Sequence, residues 1–88
     1  MNVEFKNSFA KDIGKIKNKI LLLKIKSAIE EVEEAPNIQT ISNLKKLKGE
    51  GHYFRIRIGD YRIGLKLEKD TFVFIRFLHR RKIYRYFP

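Results

Sequence analysis

The side chains with most to offer chemically lie in two stretches. YFRIRIGDYRIGLK (residues 53–66) carries Arg55, Arg57 and Arg62, and HRRKIY (79–84) carries His79, Arg80, Arg81 and Tyr84. Guanidinium groups hold phosphate in a planar, two-pronged grip and stack on bases. Several fixed cations, one imidazole and one phenol together suit a phosphodiester. Guanidinium groups can stabilise the dianionic phosphorane formed when a ribose 2′-OH attacks its own 3′-phosphate. A Tyr or His can stack on a base or move a proton. Each piece also has a plainer role open to it. Tyr84 could pack, His79 could cap or sit on the surface, and Arg76, inside an apolar run, suits a structural role.

Other chemistries find little support. There is no cysteine, hence no disulfide, thiol nucleophile or iron–sulfur cluster. His52 and His79 are the only histidines, and their basic surroundings repel cations, so no metal and no cofactor is expected. No Ser-His-Asp pattern and no phosphate-cradling glycine loop is present. The acidic cluster at residues 30–34 reads as solvated surface at a helix end.

Charge sharpens the picture. The chain of 88 residues has a formal net charge of +10. Such an excess points to a polyanionic partner. Residues 1–51 carry ten Lys against seven acidic residues, and residues 52–88 carry ten basic residues against three. All seven arginines fall in the second part. A phosphate-binding half and a scaffold half are implied.

The elements that must position these groups follow from pattern. Gly59-Asp60 is a two-residue hairpin turn. Pairing Ile58 with Tyr61 sets Arg57 opposite Arg62, Ile56 opposite Ile63 and Arg55 opposite Gly64. Alternation then gathers Phe54, Ile56, Ile58, Tyr61, Ile63, Leu65 and Leu67 on a core face. Tyr53, Arg55, Arg57, Arg62 and Lys66 fall on the other. Like charges directly opposite destabilise a sheet by up to ~1 kcal/mol, so this face is better suited to an anionic partner than to isolation.

Ahead of the hairpin, NVEF alternates as a short strand. Asn7 or Ser8 is placed to cap a helix carrying Phe9, Ile13 and Ile16. KNK (17–19) marks a bend, and a longer helix runs over 19–34. Its stripe is Leu22, Ile25, Ile29 and Val32, broadened by Leu21 and Ala28, and it stops before Pro36. Residues 37–52 form a connector, with one turn over 42–48 expected to bury Leu44 and Leu47. TFVFIRFL, apolar on both faces, reads as a central strand. HRRKIYRYFP follows as a short tail or helical turn. The fold class is α+β, a single domain over 1–88 in the order β-α-α-β-β-β. The sheet is mostly antiparallel with two N-terminal helices on one face. No apolar run approaches the ~20 residues of a membrane span, and a cytoplasmic protein is expected.

The run LKGEGHYFRIRIGDYRIGLKLEKDTFVFIRFLHRRKIYRYF (47–87) resembles the RelE/ParE superfamily of toxins from type II toxin–antitoxin systems. YFRIRIGDYRI, FVFIRFL and an ending that looks like the family's HR-x-x-x-Y carry the resemblance, and the element order extends it to nearly the whole chain. The RelE branch implies a ribosome-dependent mRNA endoribonuclease that acts in the A site without a metal. Its functional positions are matched here by Arg55, Arg57, Arg62, Arg80 and Tyr84, and relatives often have Lys at the first two. His79 falls where relatives are basic or carry His, which implies a share in acid or base work. Lys48 and Arg81 join Arg55 and Arg57 as expected RNA-phosphate contacts. The resemblance also implies a cognate antitoxin, acidic or amphipathic, covering the helices or the basic face. Two alternatives stay open: a ParE-like poison of DNA gyrase without nuclease activity, and a degenerate member that only binds RNA or its antitoxin.

Overall fold

The computed structural model describes residues 1–49 and 51–88. Strand β1 (Asn2–Phe5) leads into helix α1 (Asn7–Gly14) and helix α2 (Lys19–Glu34). A 3-10 turn (Ile38–Thr40) and a short strand β2 (Leu44–Lys46) follow. Strands β3 (Tyr53–Ile58), β4 (Tyr61–Glu68) and β5 (Thr71–His79) then run to helix α3 (Arg80–Tyr86). The sheet order is β1-β5-β4-β3-β2. Among the described residues, only β1 and β5 pair in parallel, and the other three pairs are antiparallel. No helix among the described residues is long and apolar enough to cross a membrane.

The hairpin has the expected register, with Arg57 paired to Arg62, Ile56 to Ile63 and Arg55 to Gly64. Gly59, at φ 56°, supplies the left-handed residue that a primed two-residue turn needs. The core lies between one face of the sheet and both N-terminal helices. Phe54, Ile56, Ile58, Ile63, Leu65, Phe72, Phe74 and Phe77 meet Phe9, Ile25 and Val32 there. The stripe of α2 packs as its spacing requires, with Leu21, Leu22, Ala28 and Ile29 half-buried against the same cluster.

Three local expectations are corrected. Residues 44–46 form a strand rather than part of a helical turn. Leu44 pairs with Ile56 and Lys46 with Phe54, so the open edge of β3 claims a segment whose two leucines alone suggested helix. Neither Asn7 nor Ser8 caps α1: its N-cap is Lys6, without a side-chain bond. Ser8 Oγ instead donates to the Ile75 carbonyl at 2.6 Å. The C-terminal tail is a seven-residue helix, longer than one turn.

Asp12 closes the structure where β1 ends. The last bond on that side runs from Lys6 N–H to the Phe74 carbonyl at 2.9 Å, and β5 continues past it. A bulge between Gly64 and Leu65 pairs Gly64 with Arg76 and Leu65 with Phe74, leaving Ile75 extra. Asp12, only 7% exposed, reaches this irregular edge from α1. It accepts from Phe77 N–H at 2.9 Å and from Arg76 Nε and Nη2 at 2.8 and 3.2 Å. Hydrogen bonding to Asp12 makes the Arg76 guanidinium more basic than usual, against the desolvation that lowers it. Arg76 is therefore a structural arginine.

Candidate active site: an arginine face beneath the C-terminal helix

The second face of the sheet carries the arginine rows. Arg57 and Arg62 pair directly, and the next row is Lys45, Arg55 and Gly64 across β2, β3 and β4. Their guanidinium groups lean on backbone oxygens. Arg62 Nη1 donates to the Gly59 and Tyr61 carbonyls, both at 2.9 Å, and Arg55 Nη1 donates to the Asn43 carbonyl at 2.9 Å. Arg57 stays exposed. Among the described residues, the buried Nε atoms of Arg55 and Arg62 find no acceptor. A desolvated cationic donor is costly when left alone and binds an anion more strongly than one in water.

The C-terminal helix brings the second stretch to the same place. Arg80 N–H donates to the Asp60 carbonyl at 2.7 Å, fixing the start of α3 to the hairpin turn. Its Nε lies 4.0 Å from Asp60 Oδ1. The two-residue turn is thus held by the Arg62 guanidinium from β4 and by the Arg80 backbone from the start of α3. Tyr84 follows Arg80 by four residues and Arg81 by three, so the three are neighbours on the helix surface. Tyr84 is 60% exposed. With Lys45, Lys46, Leu47, Lys48, Phe87 and Pro88 it lines a cleft of about 390 Å³.

Of the expected residues, Arg62 and Arg80 share the turn, and Tyr84 and Lys48 share the cleft. Arg55 and Arg57 lie in the rows between, and Arg81 stands exposed in the first turn of α3. His79 is set apart. It pairs with Tyr61, whose ring stacks on Phe77 at 5.0 Å and meets the imidazole edge-on at 5.5 Å. That is the face covered by the two N-terminal helices. Its Nδ1 accepts the Arg81 N–H at 3.2 Å, making His79 the N-cap of α3. Lys45, Lys46 and Phe87 were not singled out from sequence. The signal for the two lysines was the basic LKKLK run; Phe87 had none, because its neighbour is remote in the chain. Among the described residues no three His, Asp or Glu side chains are grouped to hold a metal ion.

Residues 3–84 match the family model of the ParE toxin of the type II toxin–antitoxin system parDE. This chain belongs to that toxin family. The toxin is 42% identical to Toxin RelE3 of Methanocaldococcus jannaschii, in an alignment that covers the whole of both chains. Its fold matches the RelB-RelE antitoxin-toxin complex from Methanococcus jannaschii with a TM-score of 0.81 and 39% identity. That match covers 97% of this toxin and 99% of the other chain. The toxin-antitoxin complex RelBE2 of Mycobacterium tuberculosis matches with a TM-score of 0.69 and 26% identity, over 90% and 96% of the two chains. The toxin therefore has the RelE architecture, with one additional short strand, β2, beyond the order expected from its sequence.

Proposed function

We propose that this toxin cleaves mRNA in the ribosomal A site and is neutralised by a cognate antitoxin. The observation that carries the proposal is that the Arg62 guanidinium and the start of α3 at Arg80 both bind the Gly59-Asp60 turn. This happens on a face whose other residues are Arg55, Arg57 and, across the cleft, Tyr84 with three lysines. A face so dense in donors fits one phosphodiester and its flanking phosphates. The ribose 2′-OH gives up its proton to water as its oxygen attacks the adjacent phosphorus, the bond to the 5′-oxygen breaks, and that oxygen takes a proton from water. The products are a 2′,3′-cyclic phosphate and a 5′-hydroxyl that has gained a proton. Arg62 and Arg80 offset the charge that builds on the phosphorane. Arg55, Arg57, Lys48 and Arg81 hold the flanking backbone, and Tyr84 orients the substrate by stacking or by a bond from its hydroxyl. His79 serves through the start of α3 rather than as the proton carrier.

An antitoxin fits the other side. Ile20 and Leu23 of α2 remain 67% and 64% exposed. They line a cleft with Lys24, Ile56, Arg57 and Ile58. An amphipathic acidic segment suits such a surface.

The family model's ParE description keeps a second function in view, a gyrase poison that cuts nothing itself. Primer extension on mRNA in a purified translation system, with wild type beside Arg80→Ala, separates the two. Ribosome-dependent cuts by wild type alone are expected. Intact mRNA together with gyrase-dependent DNA breaks would establish the ParE function instead.

A further inference from the structure

Gly64 sits in the middle of the arginine face, and something other than RNA already occupies the space above it. A Cβ built on Gly64 would lie 2.7 Å from Cγ and Cδ2 of Phe87 and 2.8 Å from its Cδ1. The Phe87 ring therefore rests on the bare backbone of β4. It is 3% exposed, and its edge meets the Tyr53 ring at 5.6 Å. Two further buried side chains, Val73 and Ile83, lie outside the main core cluster. Ile83 lies within α3 and Phe87 is its C-cap, with extended backbone, so these two buried side chains anchor the C-terminal end of α3. Tyr84 stands between them in sequence and projects into the lysine-lined cleft, of which Phe87 is itself a wall.

We infer that Phe87, seated on Gly64, is a positioning residue that fixes Tyr84 against the arginine face. The inference rests on the proposed role of Tyr84 in RNA cleavage. Glycine at position 64 is needed because any side chain there collides with the ring: a separation below 3.0 Å forces the ring to lift. Lifting the ring releases the end of α3, while the arginines, held by β3 and β4, stay in register.

The test is a set of variants assayed by single-turnover cleavage of ribosome-bound mRNA, with ribosome affinity measured alongside. Phe87→Ala and Gly64→Ala should each slow cleavage roughly tenfold to a hundredfold, the cost of a small misplacement, with ribosome affinity nearly unchanged. Gly64→Ala should add nothing in a Phe87→Ala background, and Phe87→Ala should add nothing to Tyr84→Ala. Phe87→Leu, which refills the seat, should recover part of the rate. If Phe87→Ala multiplies the loss of Tyr84→Ala, the ring acts independently of Tyr84 and the inference is overturned. If wild type cuts no mRNA, the proposed function fails. NMR then decides the positioning alone, by whether Gly64→Ala removes the contacts of the Phe87 ring with β4 and shifts the Tyr84 ring signals. Unchanged Tyr84 signals in a folded variant would overturn it.

Discussion

Arg57 and Arg62 face each other directly across the β3–β4 hairpin, and no carboxylate of the sheet stands between them. Such a pair costs stability by up to ~1 kcal/mol. Arg57→Glu converts the repulsion to attraction. The variant is expected to gain a few tenths to ~1 kcal/mol in chemical denaturation while losing toxicity, because it places a negative charge where the proposed function sets an RNA phosphate. Stability and activity moving in opposite directions is the mark of a face kept for a ligand. A variant both less stable and fully toxic would contradict it.

Arg80→Ala should abolish cleavage and hardly affect folding. Its side chain is solvent-exposed and, among the described residues, its one ion-pair contact, to Asp60, is 4.0 Å long. An exposed pair of this kind contributes about 0–1 kcal/mol. Thermal melting beside primer extension checks both halves. A melting temperature well below wild type would move Arg80 from function to structure.

The opposite pattern is expected at Asp12. Asp12→Ala strands the Phe77 N–H and the Arg76 guanidinium, which Asp12 now satisfies. Hydrogen bonds to charged groups are worth ~1.5–3 kcal/mol each, less in sum when shared, so a loss of about 3 kcal/mol is expected. The folded Arg76 is more basic than in the unfolded chain. Its contribution is therefore complete at lower pH and fades only as pH rises through the folded value, in strong alkali. A urea midpoint that falls by the matching amount, with that loss undiminished at pH 9, fits this account. An unchanged midpoint would not.

These residues show what the sequence made legible. The hairpin register followed from Gly59-Asp60 and strict alternation, both local. The bounds of α2 followed from its stripe and from Pro36. β2 did not, because Leu44 and Leu47 are spaced as in a helix and only the open edge of β3 makes that segment a strand. Nothing local marks Asp12, an acid on a short helix, as buried. Its partners lie more than sixty residues away, at an edge that exists only because β1 stops at Phe5. Arginines were recognisable by type, but Gly64 appeared as a mere gap in their row until Phe87 was seen to fill it.

His79→Gln tests the assignment of the imidazole to capping. An N-cap replacement costs about 1 kcal/mol, here spent at the start of α3, and cleavage should fall less than tenfold. A loss near that of Arg80→Ala, with α3 intact by NMR, would return His79 to the chemistry.

Binding to RNA should weaken steeply with salt. For about four phosphate contacts, the logarithm of affinity should fall with the logarithm of salt concentration with a slope near −3, the value for single strands. Arg55→Ala and Arg57→Ala should each make that slope shallower by roughly one contact's share. A flat salt dependence would speak against the arginine face as the RNA site.

In the proposed mechanism this face holds a phosphodiester while the neighbouring ribose 2′-OH attacks it. The most direct measurement uses ribosomes programmed with two mRNAs that differ by one atom, a ribose or a 2′-deoxyribose at the cut position in the A site. Cleavage of the first, with a 2′,3′-cyclic phosphate end, and survival of the second is the predicted result. Equal cutting of both would contradict the mechanism.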